Sequence, residues 1–149
     1  MLRTVLPVTV LAALLTLGPT EAVAARSVHH LSGGGTASIS QVAMNVTVDG
    51  SGSASGSFEC LMAGRSAFVL GDFKLAHNMI VHATPSSGSV AGSVVKFAGV
   101  GSLILDGRQK MNIHVEVTAD VSTQSFQLKV VEVGTLPVEK LLTGRLGLI

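Results

Sequence analysis

The chain has 149 residues, room for one domain, of which 47% are hydrophobic, 13% charged and 3% aromatic. Ten Lys and Arg against nine Asp and Glu leave a formal charge of +1, too weak a field to steer nucleic acid or an anionic lipid surface. Trp and Tyr are absent, which argues further against surfaces that stack bases or sugars on aromatic rings, so no nucleic-acid partner is expected.

Residues 1–24 read as a secretory signal peptide. Arg3 supplies the positive start, Val5 to Leu17 the apolar stretch, and Ala22-Val23-Ala24 the small-residue cleavage site, so the mature chain is expected to begin at Ala25. The apolar run is shorter than the ~20 residues a spanning helix needs, which disfavours an uncleaved anchor. No Cys follows the leader directly, which excludes a lipid anchor there, and no later apolar run is long enough to cross a bilayer. The expected destination is the periplasm or the extracellular space. Cys60 is the only cysteine, so no intramolecular disulfide can form, and its place in a strand predicts a buried, inert thiol.

Seventeen Gly, many Ser and few strong helix formers point to strands joined by tight turns. Residues 25–32 read as a polar, flexible lead-in and 33–149 as a single β-domain. Gly33-Gly34-Gly35 opens it, and Thr36 to Ser40 is a short first strand. Gln41 to Asp49 alternates, with Val42, Met44, Val46 and Val48 on one face. Asp49-Gly50-Ser51-Gly52 is a hairpin turn. Ser53 to Met62 returns with Phe58, Cys60 and Met62 sharing one face with Ala54 and Gly56, and Ser57 and Glu59 facing away. Ala63 to Ser66 is a turn, and Ala67 to Leu75 is a strand broken at Gly71-Asp72. His77 to Thr84 is another strand, ended by a turn at Pro85-Ser86-Ser87-Gly88.

Ser89 to Leu105 exceeds an ordinary strand and reads either as one long curved strand or as two joined by a kink, with Gly92, Gly99 and Gly101 as bends. Asp106-Gly107 then turns into Lys110–Val121, the clearest strand of the chain. Met111, Ile113, Val115, Val117, Ala119 and Val121 fall on one face; Lys110, Asn112, His114, Glu116, Thr118 and Asp120 fall on the other. After Ser122-Thr123-Gln124, Phe126, Leu128 and Val130 alternate. Leu136-Pro137 breaks the pattern, Val138 to Leu142 reads as a short helical turn or a loop, and Gly144 to Ile149 is a terminal apolar strand.

Links this short allow only antiparallel neighbours. The expected fold is all-β, an antiparallel meander of about 8–9 strands closed as a barrel or a two-layer sandwich, because that many twisted strands curl and leave edges to cover. The terminal strand is placed over the edge left by the first.

Motifs for chemistry are sparse. No Ser stands in a Gly-x-Ser-x-Gly elbow, and Gly33-Gly34-Gly35 lacks the Lys and helix of a phosphate loop. No catalytic, metal-binding or cofactor-binding residue is assigned. His77 and His82 are five apart and point to opposite faces of an uninterrupted strand, poor geometry for a shared metal. His114 sits on a polar face, and His29 and His30 lie in the lead-in. Asn45-Val46-Thr47 matches a glycosylation sequon, of consequence only in a eukaryotic host.

From Ser32 onward the order of pieces resembles a small secreted bacterial β-domain that recurs in surface and extracellular proteins, often after surface-anchored modules. The resemblance rests on Ser32-Gly33-Gly34-Gly35-Thr36, on His77 with Val81-His82, and on Phe97-Ala98-Gly99-Val100-Gly101. Asn112 to Ala119, Ser125 to Lys129 and Leu142 to Ile149 complete it. Where that family carries aromatic residues, this chain has Lys74-Leu75-Ala76 and Lys110-Met111-Asn112. The resemblance implies a secreted barrel or sandwich of no assigned activity and carries over no catalytic residue.

The leading expectation is a secreted, non-enzymatic β-module with a structural or binding role in the cell envelope or outside the cell, monomeric, requiring no cofactor, with a protein or a small apolar ligand as partner. One alternative is a lipocalin-like carrier with a cavity lined by Met44, Phe58, Met111 and Phe126. The other is a metal-dependent enzyme that draws on His77, His82 and His114.

Overall fold

A computed structural model describes residues 27–62 and 78–149. The leader, Ala25-Arg26, the turn and strand expected over 63–75, and His77 lie outside the described residues. The rest is ten strands, with no helix among the described residues. They are β1 (Val28–Thr36), β2 (Gln41–Asp49), β3 (Ala54–Met62), β4 (Met79–Ala91), β5 (Val94–Leu105), β6 (Arg108–Asp120), β7 (Ser125–Val130), β8 (Gly134–Thr135), β9 (Glu139–Lys140) and β10 (Arg145–Leu148). Consecutive strands from β1 to β8 pair antiparallel, the all-β meander the alternation predicts, and β10 returns to cover β1.

The sheet curls until its two sides meet through one segment. Glu139 and Lys140 pair with Phe126 and Ser125 of β7, Leu141 bridges to Ala37, and Arg145–Leu148 pair with Gly34–Leu31 of β1. The segment thus has β7 on one flank and β1 on the other. Midway, a side chain takes the place of a strand. The Gln124 amide donates to the Leu146 carbonyl (3.1 Å) and accepts from the Leu146 N–H (2.8 Å), the pair of bonds a neighbouring backbone would make. Gln124 also accepts through its own carbonyl from Leu141 N–H (2.8 Å).

Gly33-Gly34-Gly35 owes its composition to this seam. All three have positive φ, and a Cβ on them would fall on the carbonyl oxygens of Arg145, Val42 and Thr143 respectively. Only glycine lets β1 lie this close between β2 and the returning segment.

The interior is apolar and well filled. Val42, Met44, Val46 and Val48 of β2 point inward, as do Phe58, Cys60 and Met62 of β3 and Phe126, Leu128 and Val130 of β7. Phe58 meets Phe97 edge to face, with ring centroids 5.8 Å apart and planes at 61°.

Several expectations need correction. Residues 25–32 are not a lead-in throughout: β1 starts at Val28 and is fully paired to β2, while Thr36–Ser40 is where it ends. Pro85–Gly88 does not turn the chain. It continues β4, with Ser86 left out of the register between Pro85↔Gly99 and Ser87↔Ala98. Pro is tolerated there because the β3 ladder has already stopped at Phe58↔Ala83. Ser89–Leu105 is two strands, but the break is a full hairpin turn at Gly92-Ser93, where Gly92 has φ +60°. Val138–Leu142, expected as a short helical turn or a loop, holds the two-residue strand β9.

The opening half of β6 departs most. Asn112 has φ +57° and is skipped in the register, since Gly101 pairs with Ile113 and Ser102 with Met111. The extra residue shifts the parity by one. Ile113, Val115, Val117 and Ala119 remain buried, whereas Met111 swings to the outer face and is 60% exposed.

Asp120 ties two turns together. Its Oδ1 accepts from the Ser122 hydroxyl (2.7 Å), the Ser122 N–H (2.9 Å) and the Ser93 hydroxyl (2.9 Å). Those bonds, Ser122's first, pull its carboxyl from an ordinary 3.8 down to about 2.

Two outcomes follow. Gln124→Ala removes both bonds to Leu146 and leaves part-buried backbone groups unpaired, so stability falls by about 1–3 kcal/mol in urea unfolding. The Asp120 contribution is fully present above the unfolded value of 3.8 and is lost as pH falls through about 2. A carboxyl titration by NMR therefore finds Asp120 near 2, and Ser122→Ala moves it up toward 3.8.

Candidate functional site

Two regions hold polar chemistry: the buried end of the closing seam and the outer face of β1–β6. At the seam, Glu139 is 1% exposed. After the break at Leu136-Pro137, the pairing of β9 with β7 sets its side chain inward. Its Oε2 accepts from the Ser40 hydroxyl (2.8 Å) and the Ile39 N–H (3.0 Å), while its Oε1 has no partner. Cys60 lies beside them. Burial pushes its thiol up to about 12 from 9.0, with the Ser40 hydroxyl opposing and the Glu139 charge adding to the rise. A thiol held neutral and fully buried is no nucleophile. Glu139 itself had no signature in the sequence, because a lone Glu after Pro reads as a solvated loop residue.

On the outer face, cross-strand register builds two rows. Gln41, Leu61, Ile80 and Ile104 form one; Ala43, Glu59, His82, Ser102 and Met111 form the next. Glu59 and His82 are direct partners, with Glu59 Oε1 3.0 Å from His82 Nδ1. These rows border a groove of about 580 Å³, closed on its far side by Gly35, Thr36 and Thr143 of the seam. Leu61 is 40% exposed at its floor. Among the described residues that line it, Glu59 is the one acidic side chain and there is no Lys or Arg. A second hollow of about 500 Å³ lies alongside, between His82, Val100 and Met111.

The histidines are dispersed. His30 Nδ1 contacts Thr47 Oγ1 (3.1 Å), its partner across β1 and β2, and His29 lies next to it on β1. His82 has Glu59. His114 has Glu132: the carboxylate meets its Nδ1 at 2.7 Å and accepts from its N–H at 3.0 and 3.1 Å. The His114 ring bond is the main cause holding the Glu132 carboxyl below the usual range. His114 pairs with Val100, two residues along β5 from the Ser102 partner of His82, so each ring answers to its own carboxylate. Among the described residues, no three His, Cys, Asp or Glu side chains come together as metal ligands would.

Met44, Phe58, Met111 and Phe126 do not line a common cavity. Met111 is outside, and the other three are within the packed core. Leu61 carried a signal for the groove, being apolar at the same parity as Ser57 and Glu59. The missing information was that Ile80 and Ile104 would stand beside it.

No protein-family model, no curated protein and no solved structure matches the chain. Among the described residues, no helix is long and apolar enough to cross a membrane.

Cys60 stays unlabelled by a thiol reagent at pH 8 except through unfolding, so its rate tracks global stability. Glu139→Ala leaves the Ile39 N–H without its acceptor, costs about 1–3 kcal/mol, and speeds the labelling in proportion. Labelling that is fast in the intact protein and indifferent to Glu139→Ala would contradict the buried placement.

Proposed function

We propose that the protein is a secreted, non-enzymatic β-module of the cell envelope or extracellular space, and that it binds its partner through the outer-face groove of β1–β4. The observation that carries the reading is the contrast between the two sides of the sheet. The inner side is packed, while the outer side sets Leu61 and Ile80 beside a concave wall. Pockets of this size, part apolar with a few converging polar groups, are the usual form of a binding site. A carrier would need room inside the barrel, where Phe58 and Phe97 stand in contact. The covered edge of β1 supports a monomer, since an unpaired edge is the ordinary route to strand-mediated association.

Export rests on the leader at 1–24, and the likeness of Ser32–Thr36 and the strands after it to a recurring secreted bacterial β-domain agrees with it. N-terminal sequencing of the protein recovered from its host tests this half, with Ala25 as the expected first residue. Groove binding is tested by sedimenting the protein with the host's envelope fraction. Leu61→Arg fills the groove and is expected to weaken association by roughly tenfold. Val138→Arg, at a residue 64% exposed and away from the groove, leaves it unchanged. Equal association of both variants, each with a native unfolding midpoint, defeats the groove reading.

A further inference from the structure

We infer that the open edge of β6 takes an extended segment of a partner protein, added antiparallel as a further strand and carrying two acidic residues two positions apart.

Only part of β6 is paired on both sides. β5 runs beside it from Arg108 to Asp120, whereas the β7 ladder begins at Val115. The corner after β7 closes one more position, where Val131 N–H donates to the His114 carbonyl and Glu132 accepts from the His114 N–H. Among the described residues, no strand pairs with 108–111 on the side away from β5. The two-residue turn at Asp106-Gly107 makes Leu105 and Arg108 its flanking hydrogen-bonded pair, and the bonds of an antiparallel ladder alternate. Arg108 and Lys110 therefore direct their backbone groups to β5, while Gln109 and Met111 direct theirs outward. Two N–H and two C=O groups stand ready for an added strand. The ladder stops at Asn112, whose φ of +57° takes it out of register.

Side chains decide which strand can join. Residues 108–111 are all exposed, and among the described residues neither Arg108 nor Lys110 is ion-paired. No acidic residue stands between Gly107 and Ile113. Basic side chains and a bulge are the means by which an open edge resists pairing. Here that resistance depends on charge. A second copy joined through Gln109 to Gln109 sets Arg108 opposite Lys110; joined through Gln109 to Met111, it sets Lys110 opposite Lys110. Like charges directly opposite are destabilising, so the edge rejects its own kind. An antiparallel strand with an acid on either side of the residue facing Gln109 sets one carboxylate opposite each cation instead. Met111, 60% exposed on the other face, meets an apolar residue. The recognised segment thus reads apolar, acidic, any residue, acidic. Both cations are exposed, so salt weakens the preference.

The test is an NMR titration of the ¹⁵N-labelled protein with capped Thr-Val-Glu-Thr-Glu-Thr, with its analogue Thr-Val-Lys-Thr-Lys-Thr, and with the acidic peptide N-methylated at the Thr between the two Glu. The acidic peptide is expected to shift the amides of Gln109 and Met111, to slow their hydrogen exchange, and to bind about tenfold more tightly than the Lys analogue, the margin of two exposed charge pairs over two repulsions. N-methylation removes a strand donor and abolishes the slowed exchange. Arg108→Glu combined with Lys110→Glu, made at exposed positions and checked for a native unfolding midpoint, reverses the preference. Equal binding of the acidic and Lys peptides, a preference that survives the double variant, or binding indifferent to N-methylation overturns the inference. Slow exchange at Gln109 and Met111 in the free, dilute protein also overturns it, because the chain itself then covers the edge. Protection that rises with protein concentration assigns the edge to a second copy and overturns it equally. Leu61→Arg leaves the titration unchanged, so the edge and the groove are judged separately.

Discussion

The segment from Glu139 to Leu148 is held between β7 and β1, and both flanks of the sheet are covered only while it is there. Its hold is divided among a short ladder with β1, two residues paired to β7, and the Gln124 amide between them. A side chain standing in for a strand tolerates a change of direction that a continuous ladder does not. The segment leaves β7 after Lys140 and joins β1 at Arg145, and the turn at Thr143-Gly144 makes the step between them. Leu142 and Thr143 both donate to the Thr36 carbonyl, at 2.8 and 3.2 Å, so the step itself is pinned. Ends so far apart in sequence carry a larger loop-closure entropy, which their contacts must offset. The β2–β3 and β6–β7 hairpins depend on local turns instead, and those turns carry their own side-chain locks at Asp49 and Asp120.

Buried polarity is concentrated at the same seam. Glu139 reaches across to Ile39 and Ser40, so the returning segment is bonded to the β1–β2 link as well as to β1 and β7. A carboxylate in the core adds little net stability over an apolar side chain of like shape. Its effect is on register. Shifting β9 by one residue would turn Glu139 outward and bring Lys140 in, leaving the Ile39 N–H unpaired and an ammonium buried, so the wrong pairing is penalised twice.

Most of the meander was legible because its strands keep the period-2 rule. β2, β3 and β7 have the inward residues that the alternation names, and the turns at Asp49-Gly50 and Asp106-Gly107 fall where the dipeptides put them. What could not be read has specific causes. Gly92-Ser93 is a two-residue turn inside an apolar run, and Gly99 and Gly101 nearby offered equal cues although both are within β5. Pro85-Ser86-Ser87-Gly88 has turn composition, but β5 alongside keeps it extended. The bulge at Asn112 is invisible to alternation because Met111 is apolar on either reading. β1 was masked by its glycines, whose reason lies in close approach to Val42 of β2 and to Arg145 and Thr143, the last two more than a hundred positions away. For the site, Glu59 reads as facing away from the apolar side and His82 only as opposite in face to His77; the register that pairs them joins two strands and cannot be taken from either by itself.

The two bulges, at Ser86 and Asn112, act on the outer face rather than the core. Met79, Val81 and Ala83 before the first and Ile113, Val115, Val117 and Ala119 after the second stay buried, so the core of each strand places no demand on what stands outside. Isolated apolar residues on such a face are ordinary and carry no message. Leu61, Ile80 and Ile104 differ in being consecutive across three strands, in register, with Met111 and Val100 close by. A solvated row would tolerate Thr, Lys or Gln at every one of these positions without loss to the core. A row of exposed apolar side chains favours contact with another surface, the general property on which the proposed groove binding rests. The polar wall beside them, made of Gln41, Glu59, Thr36 and Thr143, bounds that apolar surface. The same seam that closes the sheet supplies Thr36 and Thr143, so the last strand to be secured also completes the groove.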